Sequence, residues 1–275
     1  MDALEAVRDA YARSVVAAGG SRDPRLIDAF RSVAREQYLG PGPWTLISGG
    51  GRLPTDSTDP RVLYQDVLVA LAAERGINNG QPSLHARCIA ACAPRPGETV
   101  LHVGAGTGYY TAILARLVAP GGTVIAYEIE SDLAARASAN LAATAGVSVL
   151  AASATEGPLF SADIVYVCAG ATGPPAAWLD ALEPGGRLLF PLTPDIGWGI
   201  MLLVTRRPQG GYAATNVGGC GFIPCRGARS EREAEALAAA LSGGRVDAIR
   251  SLHRDASPDP SAWCVGQGWW LSTAP

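Results

Sequence analysis

The chain has 275 residues, a formal net charge of −3, 33 glycines and only 7% aromatic residues. That length can bury a full core, as one large domain or as one domain with an appendage. The near-neutral, slightly acidic balance gives no electrostatic footprint for nucleic acid, and no run approaches the ~20 apolar residues of a membrane span.

The first twenty residues, MDALEAVRDAYARSVVAAGG, are amphipathic and broken by charge. A signal peptide has a short apolar centre and a cleavage site instead, so a cytoplasmic protein is expected. Two helices are predicted, roughly 2–18 and 24–34, separated by Gly19-Gly20. Asp23-Pro24 is a good start for the second, because proline suits the first helical position. Residues 40–60 are rich in glycine, proline, serine and threonine without a period, which predicts a long loop, functional or mobile. Residues 59–74 read as extended or partly helical, and 76–83 as a second polar loop.

From there the alternation is regular. Helices are predicted at 84–92, 108–118, 131–144 and 174–182, and strands at 98–103, 122–128, 147–151, 162–169 and 186–191. Ser131 and Asp132 suit a helix start. This order implies an α/β fold, a doubly wound, mostly parallel Rossmann-like sheet. Strands at 200–205 and 219–223 would complete seven strands as antiparallel edges. A helix at 230–241 and a tail with Trp263, Trp269 and Trp270 follow, the tryptophans reading as core or interface anchors. The expected organisation is N-terminal helices and a site loop in 1–83, a core in 84–227, and a C-terminal helical extension in 228–275.

Six cysteines, at 88, 92, 168, 220, 225 and 264, form no CxxC pair, and there are three histidines. Cys88 and Cys92 lie four apart on a predicted helix, hence on one face rather than around a metal. All six read as reduced small hydrophobes, and no metal site is expected.

The run Val100-Leu-His-Val-Gly104-Ala105-Gly106-Thr107-Gly108-Tyr109-Tyr110 carries the chemistry. It reads as a buried strand, a glycine turn and the start of a helix, whose N-terminus offers free N–H groups and partial positive charge. A dinucleotide fingerprint would need a third glycine at 109, where this chain has tyrosine. Glu128, twenty residues beyond Gly108, ends the next apolar run, where a carboxylate can accept both hydroxyls of a ribose. Turn and acid together point to a nucleoside-type cofactor. The G-x-G-x-G spacing resembles the cofactor turn of class I methyltransferases, which bind S-adenosyl-L-methionine and release S-adenosyl-L-homocysteine.

Several further segments resemble the protein-L-isoaspartate O-methyltransferase family. Asp23-Pro24-Arg25-Leu26-Ile27 with Val33-Ala34-Arg35-Glu36-Gln37-Tyr38 is similar to that family's DPRV…VPRExF stretch. Gln81-Pro82-Ser83-Leu84-His85-Ala86 resembles its cofactor loop, and Ala126-Tyr127-Glu128 with Leu133 its second-strand acid. Leu182-Glu-Pro-Gly185-Gly186-Arg187-Leu-Leu-Phe-Pro191 resembles its LkpGGrLviP hairpin, and Phe222-Ile223-Pro224 its FVP. The likeness covers roughly residues 11 to 227. It implies the methyltransferase sheet, S-adenosylmethionine, and transfer of methyl to the α-carboxyl of an isoaspartyl residue in a peptide or protein. A carboxylate is already ionised at neutral pH, so the scarcity of histidines is no objection.

The departures fall at the acceptor. The family loop reads T-I-S-x-P, its serine placed beside the reacting carboxylate. Here the segment is Asn78-Asn79-Gly80-Gln81-Pro82, so the serine has become Gly80 and Asn78 or Asn79 is the candidate replacement, although Asn-Gly also suits a plain turn. The first-strand acid is His102, which reads as a hydrogen-bonded core histidine. The family's GDG is Ala152-Ser153-Ala154, whose Ser153 can accept the adenine amino group's hydrogen bond more weakly than a carboxylate. The expected cofactor contacts are Gly104, Ala105, Gly106, Thr107, Gly108, Tyr109, Glu128, Ser153, Gln81 and His85. The acceptor positions are Asn78, Asn79 and Gly80. Of Tyr109 and Tyr110, one is expected to line the site and the other to pack. Arg226 and Arg229 are candidates to meet an acceptor carboxylate or to form a solvated pair. Other acceptors stay open, namely an aspartyl residue of a natural-product peptide, a small molecule or an RNA base, as does a relative that binds cofactor without turnover.

Overall fold

The computed structural model describes residues 3–49, 51–254 and 257–275. The chain divides into two compact units, Met1–Gly97 with Ala105–Ala151, and Glu98–Gly104 with Ala152–Pro275. In chain order, α1 (Ala3–Ala18), α2 (Pro24–Ser32) and α3 (Glu36–Leu39) are followed by β1 (Thr45–Ser48), β2 (Gly51–Pro54), β3 (Leu68–Ala72) and β4 (Ile77–Asn78). The alternating part runs α4 (Pro82–Cys92), β5 (Thr99–Val103), α5 (Tyr109–Val118), β6 (Thr123–Tyr127), α6 (Ser131–Leu141), β7 (Val147–Leu150), β8 (Ala162–Val167), α7 (Ala176–Asp180) and β9 (Leu182–Leu192). Then come β10 (Gly199–Arg206), β11 (Tyr212–Cys220), α8 (Glu231–Ser242), β12 (Ser251–Arg254), β13 (Ala262–Val265) and β14 (Trp269–Ser272).

In the first unit, Asp23 caps α2 by accepting from the Arg25 amide at 2.8 Å, and Pro24 occupies the first helical position. Gly19, just past α1, has no room for a side chain, since a Cβ would lie 2.8 Å from the Arg87 backbone of α4. Cys88 and Cys92 share the buried face of α4. The expected loop over 40–60 is instead partly a hairpin of β1 and β2. Its anchor is distant in sequence: Leu46 and Ile47 pair with Val69 and Leu68 of β3, over a small core of Leu39, Trp44 and Leu63. Strands of four residues held by such pairing leave no local period to read. The four strands of this sheet are ordered β2-β1-β3-β4, and β6 pairs in parallel with β7.

The second unit's strands are ordered β13-β14-β12-β11-β10-β9-β8-β5. The expected parallel pairs and antiparallel edge strands β10 and β11 are both found here, and β12–β14 extend the sheet beyond them. Only β5–β8 and β8–β9 are parallel, whereas the pairings from β9 outward are antiparallel. The crossover helix α7 connects β8 to β9, whereas short loops join β9 to β10 and β10 to β11 and so close antiparallel partners. The last core strand ends at Cys220 rather than spanning 219–223, because a turn at Gly210-Gly211 pairs Tyr212 with Arg206 and sets the register. The C-terminal segment is also not simply helical. After α8 it adds three strands, with Leu252 of β12 opposite Tyr212 of β11. Apolar side chains of Leu252, Trp269, Trp270 and Leu271 are buried there, which is why those residues form strands.

Candidate functional site

The first unit holds most of the expected site. Gly104, Gly106 and Gly108 have φ of +77°, +58° and +95°, the left-handed region that glycine adopts without strain. At Gly108 a Cβ would also lie 2.7 Å from the Leu141 side chain. The Gly106 amide donates to Oε2 of Glu128 at 2.7 Å, and the Glu130 amide donates to Oε1 at 2.9 Å. Glu128 is only 6% exposed, so its carboxylate is a buried charge held by backbone N–H groups at the start of the turn. Ala105 donates its amide to the Tyr127 carbonyl, fixing the turn against the end of β6. Thr107 is buried, and its Oγ1 has no hydrogen-bond partner.

The loop after β4 supplies the second part. Asn79 donates its amide to the Val69 carbonyl at 2.8 Å; its side chain is buried with Nδ2 unpartnered. Gly80, at φ +71°, donates its amide to Oδ1 of Asn78 at 2.9 Å, a side-chain turn. A Cβ at Gly80 would lie 2.3 Å from Nε2 of His85. The His85 ring is itself stacked on Tyr110, centroids 3.7 Å apart, and the Tyr110 hydroxyl donates to the Gly80 carbonyl. The imidazole therefore fills the volume that any side chain at position 80 would need. Gln81 lies with these residues, but its amide donates to Asp66 and to the Ser83 hydroxyl. Of the two tyrosines opening α5, Tyr110 meets the loop, while Tyr109 is buried against Phe30 and Tyr38 with its hydroxyl 3.3 Å from that of Tyr11.

Two supporting residues were not among the expected site residues. Arg35 is fully buried and donates to the carbonyls of Leu63, Gln65 and Val67. Asp66, among those carbonyls, accepts from the Ser83 amide at 2.8 Å and from its hydroxyl at 2.6 Å, so it caps the start of α4 from a distance. The stretch 33–38, already similar to the family's VPRExF, was the available signal for the first. Nothing local marks the second.

In the second unit, Gly104 packs with its Cβ position 3.5 Å from the Cys168 backbone. His102 is buried, with Nε2 3.2 Å from the Cys168 sulfur and its ring edge-on to Tyr166. Burial pushes its pKa down to about 3, so the ring is neutral at working pH. Ser153 is exposed and its hydroxyl pairs with that of Thr155 at 2.9 Å, a local turn. Arg229 does not form a solvated pair with Arg226. It donates to the Gly170 carbonyl at 2.7 Å, to the Thr193 hydroxyl at 3.1 Å and to Asp195 at 2.5 Å. Trp269 and Trp270 are buried. Among the described residues, no helix is long and apolar enough to cross a membrane.

The donor set can be tested against a nucleoside cofactor with an amino-acid tail. Leaving a buried polar atom unpaired costs about 1–3 kcal/mol, so an orphaned hydroxyl inside the glycine turn and an orphaned amide in the loop after β4 point to a ligand that satisfies them. A carboxylate for a diol, N–H groups at a helix start, and the orphaned Thr107 and Asn79 groups fit such a molecule.

Comparison with known proteins agrees with this geometry. Residues 56–230 match the family model for protein-L-isoaspartate(D-aspartate) O-methyltransferase. A protein-L-isoaspartate O-methyltransferase of Methanopyrus kandleri is 37% identical over 166 residues, covering 58% of this chain and 73% of the relative. One from Methylorubrum populi is 32% identical over 226 residues, covering 80% and 95%. A solved protein-L-isoaspartate O-methyltransferase superposes with a TM-score of 0.67 at 22% identity, over 92% of this chain and 74% of that one. A Plasmodium falciparum structure, described as a complex with S-adenosyl-L-homocysteine, gives 0.63 at 18% identity, over 80% and 98%.

Proposed function

This chain belongs to the protein-L-isoaspartate(D-aspartate) O-methyltransferase family, methyltransferases that use S-adenosyl-L-methionine, and we propose that it methylates an isoaspartyl carboxylate with Asn79 in the role of the family's serine. The observation that carries this reading is the buried, partnerless Nδ2 of Asn79 beside a Gly80 that has no space for a hydroxyl-bearing side chain. An amide N–H2 offers two donors and suits a carboxylate oxygen.

In this reading Glu128 accepts the ribose hydroxyls while its backbone bonds keep the turn in place. Gly104, Ala105, Gly106, Thr107 and Gly108 pass beneath the amino-acid end, with the Thr107 hydroxyl satisfied by it. His85, locked against Tyr110, walls the acceptor side, and Asn78 and Gln81 hold the loop through Gly80 and Asp66. The bound cofactor supplies an electrophilic sulfonium methyl. The acceptor carboxylate arrives ionised, so no residue has to remove a proton. What the protein supplies is orientation and exclusion of water, and orientation can lower a barrier by about 7–11 kcal/mol. A peptide or protein bearing a free carboxylate is thus the partner.

The experiment is to incubate the protein with methyl-labelled cofactor and matched isoaspartyl and aspartyl peptides. Label is expected on the isoaspartyl peptide and is expected to be released by mild base, as a methyl ester is. Label on the aspartyl peptide alone would move the acceptor to the alternative class. No label on either, with cofactor bound, would defeat the reading.

A further inference from the structure

Asn79-Gly80 is the sole Asn-Gly step in the chain. At such a step the main-chain nitrogen of the glycine can attack the side-chain amide carbon of the asparagine, because the glycine has no Cβ to shield that nitrogen. Asn140 and Asn216 precede leucine and valine, whose side chains hinder the same attack.

The fold holds this step in check, with every contact lying inside the first unit. The Gly80 amide, whose nitrogen is the attacking atom, donates to Oδ1 of Asn78 at 2.9 Å. The Asn79 amide donates to the Val69 carbonyl at 2.8 Å. On the far side the Gly80 carbonyl accepts from the Tyr110 hydroxyl at 3.3 Å, and the His85 ring stands against Gly80. Ring closure has to turn the peptide plane between 79 and 80, and each of these contacts opposes that turn. Asn79 is only 8% exposed, which also keeps water and base away from it. Its Nδ2 has no hydrogen-bond partner among the described residues, so nothing there holds the leaving nitrogen.

We propose that Asn79-Gly80 is a site of spontaneous deamidation that the Asn78 side chain restrains. In the first step the Gly80 nitrogen forms a bond to Cγ of Asn79, its proton passes to solvent, and the bond from Cγ to Nδ2 breaks with release of ammonia. The product is a cyclic imide. Water then adds to one imide carbonyl and opens the ring, leaving an aspartyl or an isoaspartyl residue at position 79. Water is consumed, ammonia leaves, and nothing is oxidised or reduced. Either product puts an ionised carboxylate, which only accepts hydrogen bonds, where a two-donor amide stood. Facing an ionised acceptor it repels where the amide attracts. This consequence rests on the reading of Asn79 as the donor to the acceptor carboxylate, whereas the modification itself does not.

The test ages full-length wild type, Asn78→Ala and Asn78→Asp in mildly alkaline buffer, with urea-unfolded wild type alongside. Peptide mapping by mass spectrometry reads the mass gain of deamidation at 79, 140 and 216, and fragmentation separates the aspartyl from the isoaspartyl product. The unfolded chain is expected to deamidate at 79 about tenfold faster than the folded chain, since the restraint belongs to local structure. Positions 140 and 216 should lag far behind in both states. Folded Asn78→Ala should deamidate at 79 about tenfold faster than folded wild type, whereas Asn78→Asp, which keeps an acceptor oxygen for the Gly80 amide, should stay near it. No mass gain at 79 in the unfolded chain would overturn the proposal, as would equal rates in folded wild type and Asn78→Ala. If melting shows that a variant has lost its fold, the unfolded-to-folded ratio of wild type decides, and a ratio near unity overturns the restraint. In aged wild type, turnover of an isoaspartyl peptide should fall in proportion to the deamidated fraction, with cofactor affinity within about twofold. Full turnover in a deamidated sample would overturn the consequence for the site. Should fresh wild type transfer no methyl to the peptide, the functional reading fails, and the mass map still decides the modification.

Discussion

Arg35→Met is expected to remove about 3 kcal/mol of stability, because it strips hydrogen bonds at once from the buried Leu63 carbonyl and the part-buried carbonyls of Gln65 and Val67. The guanidinium is fully buried and answered by the carbonyls of Leu63, Gln65 and Val67 at 2.5, 3.0 and 2.8 Å. It also lies 5.9 Å from the ring centres of both Tyr11 and Tyr109, whose faces favour a cation. A methionine fills part of the space and leaves the Leu63 carbonyl without its donor. For a chain of this size such a loss lowers the melting temperature by about 10 °C. Arg35→Lys should recover only part of it, as an ammonium is a point charge without the planar fork. Thermal and urea unfolding at neutral pH measure both variants, and a change below about 1 kcal/mol would reject this role. The carbonyls concerned flank Asp66, so the same clamp also holds the residue that caps α4 and binds Gln81.

Acid is expected to weaken the fold through His102. Burial holds its folded pKa at about 3, whereas an unfolded histidine titrates near 6.5. Below about pH 6.5 the unfolded chain takes up a proton that the folded chain refuses, so stability falls with pH. The stabilisation is complete above the unfolded value and is lost as pH drops toward the folded one. The slope is about 1.4 kcal/mol per unit, or about 3 kcal/mol by pH 4. His102→Gln, which cannot titrate, should flatten this limb. Urea midpoints of wild type and variant at pH 7 and pH 4.5 should therefore converge or cross as the medium turns acid. Parallel pH profiles would show that His102 contributes nothing to the limb.

The elements proposed to carry the cofactor were legible because their chemistry is local. The left-handed backbone at 104, 106 and 108 demands glycine, and an acid ending the next strand is visible as Glu128. Helices α4 to α6 are visible through apolar spacing and, for α6, the start signals Ser131 and Asp132, although α4 begins at Pro82 rather than at the expected 84. What escaped reading was non-local. The hairpin of β1 and β2 exists because Leu46 meets Val69, and β12–β14 exist because short strands with buried tryptophans and leucines stack in register. Arg35 and Asp66 escaped for a related reason, since their partners lie about 30 and 17 residues away.

The acceptor half was legible as a departure, not as a solution. Reading Gly80 in place of a serine showed that something had changed. Only the structure shows that the His85 ring occupies the vacated volume and that Asn79 keeps a buried donor without a partner. Ser153 and Gln81, expected at the cofactor, spend their polar groups on Thr155 and Asp66.

In the proposed enzyme, a cofactor turn of the family's G-x-G-x-G type serves an acceptor site rebuilt around Asn79. Asn79→Leu tests it most directly, with isoaspartyl peptide kinetics at saturating cofactor and cofactor affinity from calorimetry. Acceptor kcat/KM is expected to fall about 10- to 100-fold with cofactor affinity within about twofold, the mark of a lost acceptor contact. An unchanged kcat/KM, or equal losses in peptide turnover and cofactor binding, would contradict it.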